Sequence, residues 1–127
     1  MARREYSTLN PTVVTRSAGD VVLYQWTGML NGDYGAAIQV PALADRSVQI
    51  LGTLGTGGSV RIHGSNKPAP VETTDTDWAV LTDPQGNDLN IASLKAESIT
   101  EPMLWIRPKV TAGDGTTNLT IIILFRK

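Results

Sequence analysis

The stretch Arg46-Ser47-Val48-Gln49-Ile50-Leu51-Gly52-Thr53-Leu54-Gly55-Thr56-Gly57-Gly58-Ser59-Val60-Arg61-Ile62-His63-Gly64 decides the fold class. Val48 and Ile50 alternate with Ser47 and Gln49, and Val60 and Ile62 alternate with Arg61 and His63. A period of two sets each apolar pair on one face of a strand. The glycine-rich run between the segments reverses the chain, so they are expected to pair antiparallel with one face on a core. The loop is longer than a tight hairpin turn, so turn type alone does not set the register.

The same pattern continues in both directions. Short apolar alternations fall at residues 12–16, 20–27, 36–40, 78–82, 103–107 and 117–125, with Gly and Pro breaking the intervals. Asp83-Pro84-Gln85-Gly86 carries Pro at the second and Gly at the fourth position of a type I turn. Ala112-Gly113-Asp114-Gly115 supplies residues that tolerate positive φ before the last strand. Residues 90–100 fit a short helix or a strand end, and nearby Pro102 favours extended or irregular structure. Residues 65–77 hold Pro68, Pro70, Glu72, Asp75 and Asp77 among hydroxyl side chains and are expected to form an exposed connection. So many short strands in one domain predict an all-β fold of two packed antiparallel sheets, a β-sandwich. Residues 1–10 read as an N-terminal arm and 11–127 as one domain.

Composition narrows the chemistry. The chain has 127 residues, 41% hydrophobic and 18% charged, which is enough apolar material for a real core. Eleven basic and twelve acidic side chains leave a net charge of -1, which argues against nucleic acid or an anionic membrane as the main partner. No apolar run approaches the length of a membrane helix, and Met1-Ala2-Arg3-Arg4-Glu5-Tyr6 lacks the apolar core of an export leader. Without cysteine there is no thiolate zinc site, disulfide framework or cysteine nucleophile.

The remaining motifs are weighed against plainer readings. Gly55-Thr56-Gly57-Gly58 resembles a phosphate loop only in composition, because a strand rather than a helix follows it. Glu72, Asp75 and Asp77 offer oxygens to a cation but lack the glycine that would fold the loop around calcium, so a solvated acidic loop is expected. His63, the single histidine, takes an outward strand position and reads as a surface residue; no Gly-x-Ser-x-Gly elbow accompanies it. No catalytic residue, metal or cofactor is therefore expected, and the chain is not read as an enzyme. Trp26, Trp78 and Trp105 sit in apolar segments and are expected to be buried in the core or an interface. A tail- or fibre-associated carbohydrate- or receptor-binding module is the alternative reading, with these tryptophans as its support.

The apolar surplus lies elsewhere. Leu119, Ile121, Ile123 and Phe125 form one face of the last strand, yet Ile122 and Leu124 occupy the other; Val21 and Leu23 likewise oppose Val22, Tyr24 and Trp26. Strands apolar on both sides are normally covered on both. Val21, Leu23, Ile122 and Leu124 are therefore candidate interface residues, with a homodimer expected and a trimer as the alternative. Arg3, Arg4 and Tyr6 are candidate contacts of an arm that orders on a neighbouring subunit.

Several motifs occur in a recognisable order. They are Gly64-Ser65-Asn66, Trp78, Leu81-Thr82-Asp83-Pro84-Gln85-Gly86-Asn87, Glu101-Pro102, Ile106-Arg107-Pro108 and Val110-Thr111-Ala112-Gly113-Asp114-Gly115-Thr116-Thr117 before the final apolar strand. This order resembles the small jelly-roll capsid decoration (cement) proteins of tailed bacteriophages. It covers roughly residues 48–127, and the stretch at 67–77 departs from it by being longer than the expected turn. The resemblance implies a jelly-roll sandwich on the outer surface of a virion, made in the host cytoplasm. It also implies binding across major capsid protein subunits, with no catalytic residues.

Overall fold

The alternating segments become strands in two sheets packed face to face; the computed structural model describes residues 2–9 and 21–127. In chain order the strands are β1 (Arg3–Arg4), β2 (Tyr6–Leu9), β3 (Val21–Met29), β4 (Tyr34–Gly35), β5 (Ile38–Gln39), β6 (Asp45–Thr53), β7 (Ser59–Ser65), β8 (Ala79–Val80), β9 (Asn90–Ile91), β10 (Ala96–Ser98), β11 (Trp105–Ala112) and β12 (Asn118–Arg126). The strand expected at residues 12–16 lies outside the described residues. Sheet B runs β10-β6-β12-β3-β2, antiparallel throughout. Sheet A runs β1-β4-β11-β7-β8, with β5 also on β11 and β9 also on β7.

From β3 onward the chain passes repeatedly between the sheets, giving β3-β12-β6-β10 against β4/β5-β11-β7-β8/β9. That is the strand order of a jelly roll. One correction concerns direction: β1 pairs parallel with β4, so sheet A is mixed rather than antiparallel.

One expectation is corrected: the antiparallel pair of residues 46–51 with 59–63 does not form, because β6 and β7 lie in opposite sheets, β6 pairing with β10 and β12 and β7 with β11, β8 and β9. Each instead packs its period-2 apolar face inward. Val48, Ile50, Val60 and Ile62 are fully buried together with Trp26, Ile106, Val110, Ile121, Ile123 and Phe125. Strand β11 extends beyond the expected end at residue 107, straight through Pro108. Proline lacks a ladder donor and is usually excluded from central strands. Here its ring lies against Gly35, where a Cβ would come within 2.7 Å of Pro108 Cδ, at the break between β4 and β5. The ladder needs no donor at that break. Residues 90–100 are extended, as expected, and form β9 and β10.

One end of the sandwich is tied by Asp114. Its carboxylate accepts the Thr56 N–H at 2.9 Å and the Thr116 N–H at 2.8 Å, while Thr117 Oγ1 donates to the Leu54 carbonyl at 2.8 Å. Hydrogen bonds from Thr116 and Thr56 hold the Asp114 carboxyl well below the usual carboxylate range. The loops after β6 and β11 are thereby joined.

Candidate functional site

The outer faces of the two sheets differ in how they are covered. On sheet A, Arg61 and His63 of β7 alternate with buried Val60 and Ile62, and Trp105, Arg107 and Lys109 of β11 alternate with Ile106 and Val110. His63 is paired directly across from Arg107, and Lys109 across from Arg61. Residues 67–78 fold over this face as a strap.

Three carboxylates hold the strap. Glu72 accepts from Arg3 Nε at 2.8 Å and from the Ala37 N–H at 2.9 Å. Asp75 takes Lys109 Nζ at 3.0 and 3.2 Å, and Asp77 takes Lys67 Nζ at 3.0 Å and the Val71 N–H at 2.8 Å. The stretch is exposed, as expected, with residues 67–69, 71 and 73–76 open to solvent, and these contacts fix its course over the sheet. Its acids pair with cations from β1, β11 and the strap itself instead of converging, and among the described residues no cluster of three metal-ligating side chains exists.

At the centre of the covered face lies Arg107, whose side chain is fully buried. The guanidinium carbon sits 4.3 Å from the centroid of the Trp78 ring and 5.3 Å from that of Tyr34, and Nη1 donates to the Glu72 carbonyl. Stacking of this kind suits a weakly hydrated planar cation. His63 is buried beside it, which corrects the surface reading. Burial, and then the charges of Arg107, Lys109 and Arg61, push the imidazole down to about 4, with Asp75 opposing. In the sequence Arg107 stands only as part of the Ile106-Arg107-Pro108 motif, with no site role attached. The available signal is an arginine between Ile106 and Pro108, two residues from Trp105.

Sheet B carries no such cover among the described residues. Leu23 and Leu124 stand directly opposite each other, Ile122 faces Gln25 and Gln49, and Val21 faces Arg126. All four candidate side chains are half-buried on one outer face, with Leu51 of β6 beside them at 39% exposure. Ser47 and Gln49 lie among them, and the exposed Arg126–Asp45 ion pair borders the patch beside Val21.

The arm residues lie away from that patch. Arg4 Nε donates to Asp33 at 2.7 Å, and Asp33 also accepts from the Leu30 N–H at 2.9 Å and the Ala2 N–H at 3.1 Å. Burial alone would raise the Asp33 carboxyl, but these bonds outweigh it and hold it low. Tyr6 meets Tyr24 edge-on at 5.3 Å and Trp26 at 6.0 Å. Residues 3–9 therefore form strands of their own domain instead of a free arm. Removing residues 2–9 is expected to cost about 2 kcal/mol or more, because Asp33 and the Tyr24–Trp26 edge lose their partners. Chemical denaturation of the truncated chain checks this; an unchanged midpoint would show the arm to be energetically idle.

Of the three tryptophans, Trp26 is in the core, Trp78 ends the strap and stacks on Arg107, and Trp105 is half-buried beside it. None is a fully exposed platform.

Together the sheets define a jelly-roll β-sandwich with one face covered by its own chain and the other uncovered among the described residues. No protein family model matches the chain, and no curated protein matches it in sequence. Among solved structures, the crystal structure of SPBc2 prophage-derived protein YomS shares the fold, with a TM-score of 0.61 and 11% identity over 92% of this chain and 100% of that one.

Proposed function

We propose that this chain is a virion structural protein that decorates and stabilises a tailed-phage capsid by binding across major capsid protein subunits on the outer shell. The observation that carries the reading is the outer face of sheet B, uncovered among the described residues, where Leu23, Ile122, Leu124 and Leu51 lie near one another as a partly exposed apolar patch. Contiguous apolar surface on a stable domain marks an interaction site. Support also comes from the prophage source of the structural neighbour, although a fold by itself does not fix a role. The protein acts mechanically, without turnover or cofactor. The outer face of sheet B serves either the shell or a second copy, as a dimer or trimer.

Co-sedimentation with purified capsids tests this. Leu124→Asp is expected to weaken capsid binding at least about tenfold, because a carboxylate placed opposite Leu23 has to be desolvated at the contact. Melting should change little, since Leu124 is only half-buried. Full retention of capsid binding by this variant, or no binding by the parent chain, sinks the proposal.

A further inference from the structure

The strap at residues 67–78 is fastened to the domain through side chains. Its backbone–backbone hydrogen bonds stay within it: the Thr74 N–H donates to Val71, the Asp77 N–H to Thr74 and the Trp78 N–H to Asp75. None of its residues belongs to the buried cluster between the sheets. Glu72 ties it to Arg3 and the Ala37 N–H by its carboxylate and to Arg107 by its carbonyl, Asp75 ties it to Lys109, and the Trp78 ring stacks on Arg107. A segment held in this way can open while the sheets stay folded.

Beneath the strap, four basic groups share one patch of sheet A. His63 is paired across from Arg107, and Lys109 across from Arg61. Asp75 Oδ1 lies 3.0 Å from Lys109 Nζ and 3.5 Å from Arg107 Nη2, so one carboxylate serves both cations. The Glu72 carboxylate, the other anion near Arg107, is taken by Arg3 and the Ala37 N–H, and Asp77 is turned to Lys67. On the far side of β7, β8 places Val80 opposite His63 and β9 places Asn90 opposite Arg61.

His63 is 7% exposed, and its Nδ1 has no hydrogen-bond partner among the described residues. A neutral imidazole is tolerated there. An imidazolium adds a cation to a layer that already holds Arg107 and Lys109, and its Nδ1–H lacks an acceptor.

We propose that the strap is an acid-released latch: a proton taken up by His63 frees Asp75 and Glu72 from β11 and lifts residues 67–78 off sheet A, while the two sheets stay folded. Opening lets water reach the imidazolium, Arg107 and Lys109, so the open form binds the proton more tightly than the closed one. His63 titrates at about 4 under the strap and at about 6.5 once hydrated. Opening is therefore least favourable above pH 6.5 and becomes easier as the pH falls towards 4. Asp75 is not the trigger, because its bond to Lys109 holds its carboxyl below the usual carboxylate range. The latch is independent of the capsid reading.

Native-state hydrogen exchange of the intact chain tests it, read by NMR at pH 7 and pH 5 with each rate divided by the intrinsic rate at that pH. The strap reporters are the Ala37 N–H, held by Glu72, and the Trp78 indole N–H, held by the Val71 carbonyl at 3.1 Å. The amides of β12, the middle strand of sheet B, report on the sandwich. The opening constant of both strap reporters is expected to rise about twentyfold from pH 7 to pH 5. It is expected to exceed that of β12 at least about tenfold at either pH. In His63→Gln, which takes up no proton, it should stay within about twofold. Asp75→Asn, at an exposed position, is expected to open the strap about tenfold more at pH 7, because Lys109 loses its partner. A strap in the parent chain that ignores pH, an equal rise in His63→Gln, or no effect of Asp75→Asn overturns the latch. A single opening constant for strap and β12 also overturns it, since the domain then opens only as a whole.

Discussion

Trp26→Ala is expected to destabilise the domain by about 3–5 kcal/mol, the range for removing a large aromatic from a packed core. Trp26 is 0% exposed and belongs to the cluster that joins both sheets. Its Nε1 donates to the Ala36 carbonyl at 3.2 Å, tying β3 to the chain that links β4 and β5. Gly35 lies so close to the indole that a Cβ there would come within 2.6 Å of Nε1. The site is walled by backbone and by the Pro108 ring, so it can collapse only partly. A domain of this size should lose about 10–20 °C in Tm. Trp26→Phe keeps most of the apolar area and loses the hydrogen bond, and is expected to cost about 1–2 kcal/mol. Equal losses for the two variants would show that the hydrogen bond, and not the packing, holds this corner.

The second large effect is a pH dependence centred on His63. In the unfolded chain the imidazole titrates at about 6.5, whereas in the folded protein it is pushed down to about 4. The groups facing it are Arg61 on its own strand, Arg107 and Lys109 on β11, and Asp75 on the strap. Between those two pH values the unfolded chain holds a proton that the folded chain does not. Stability is therefore complete above pH 6.5 and falls as the pH drops towards 4, by about 2–3 kcal/mol. Below that, protonation of Asp33 and Asp114, which the fold holds low, continues the loss. His63→Gln cannot take the proton, so its stability profile should be flatter between pH 6.5 and 4. Denaturant unfolding at half-unit pH intervals gives both profiles. Parallel slopes for the two chains would remove His63 as the cause.

Period and turn chemistry made much of the architecture legible. Val48, Ile50, Val60 and Ile62 announce their inward faces because a strand repeats every two residues, and nothing distant is needed to orient them. Gly86 closes the turn after Asp83, donating its N–H to the Asp83 carbonyl at 3.0 Å, as Pro84 and Gly86 predict. The doubly apolar character of β3 and β12 likewise places Val21, Leu23, Ile122 and Leu124 on one outer face. Pro108 misled in the other direction, since a proline normally ends a central strand. Only the break between β4 and β5, which are contributed by a distant part of the chain, lets β11 continue through it.

The covered face of sheet A shows where local reading stops. Thr73, Thr74, Asp75, Thr76 and Asp77 have the composition of a solvated loop, and no local rule says otherwise. They are solvated, as that composition implies, and what no local rule gives is their course over sheet A, where register brings together Arg61, Arg107 and Lys109 and sets Tyr34 next to them. Likewise, His63 and Arg107 each look like outward-facing strand residues, and only their pairing under Trp78 makes one neutral and the other a stacked, buried cation. The sequence by itself determined the strand faces, the turns and the surplus apolar surface, because these depend on neighbours within a few residues. The tertiary structure decided which face the strap covers, where the N-terminal strands go, and that His63 and Arg107 are buried side by side. Those outcomes depend on contacts between segments far apart in the chain, whose burial and charge only the assembled sheets fix.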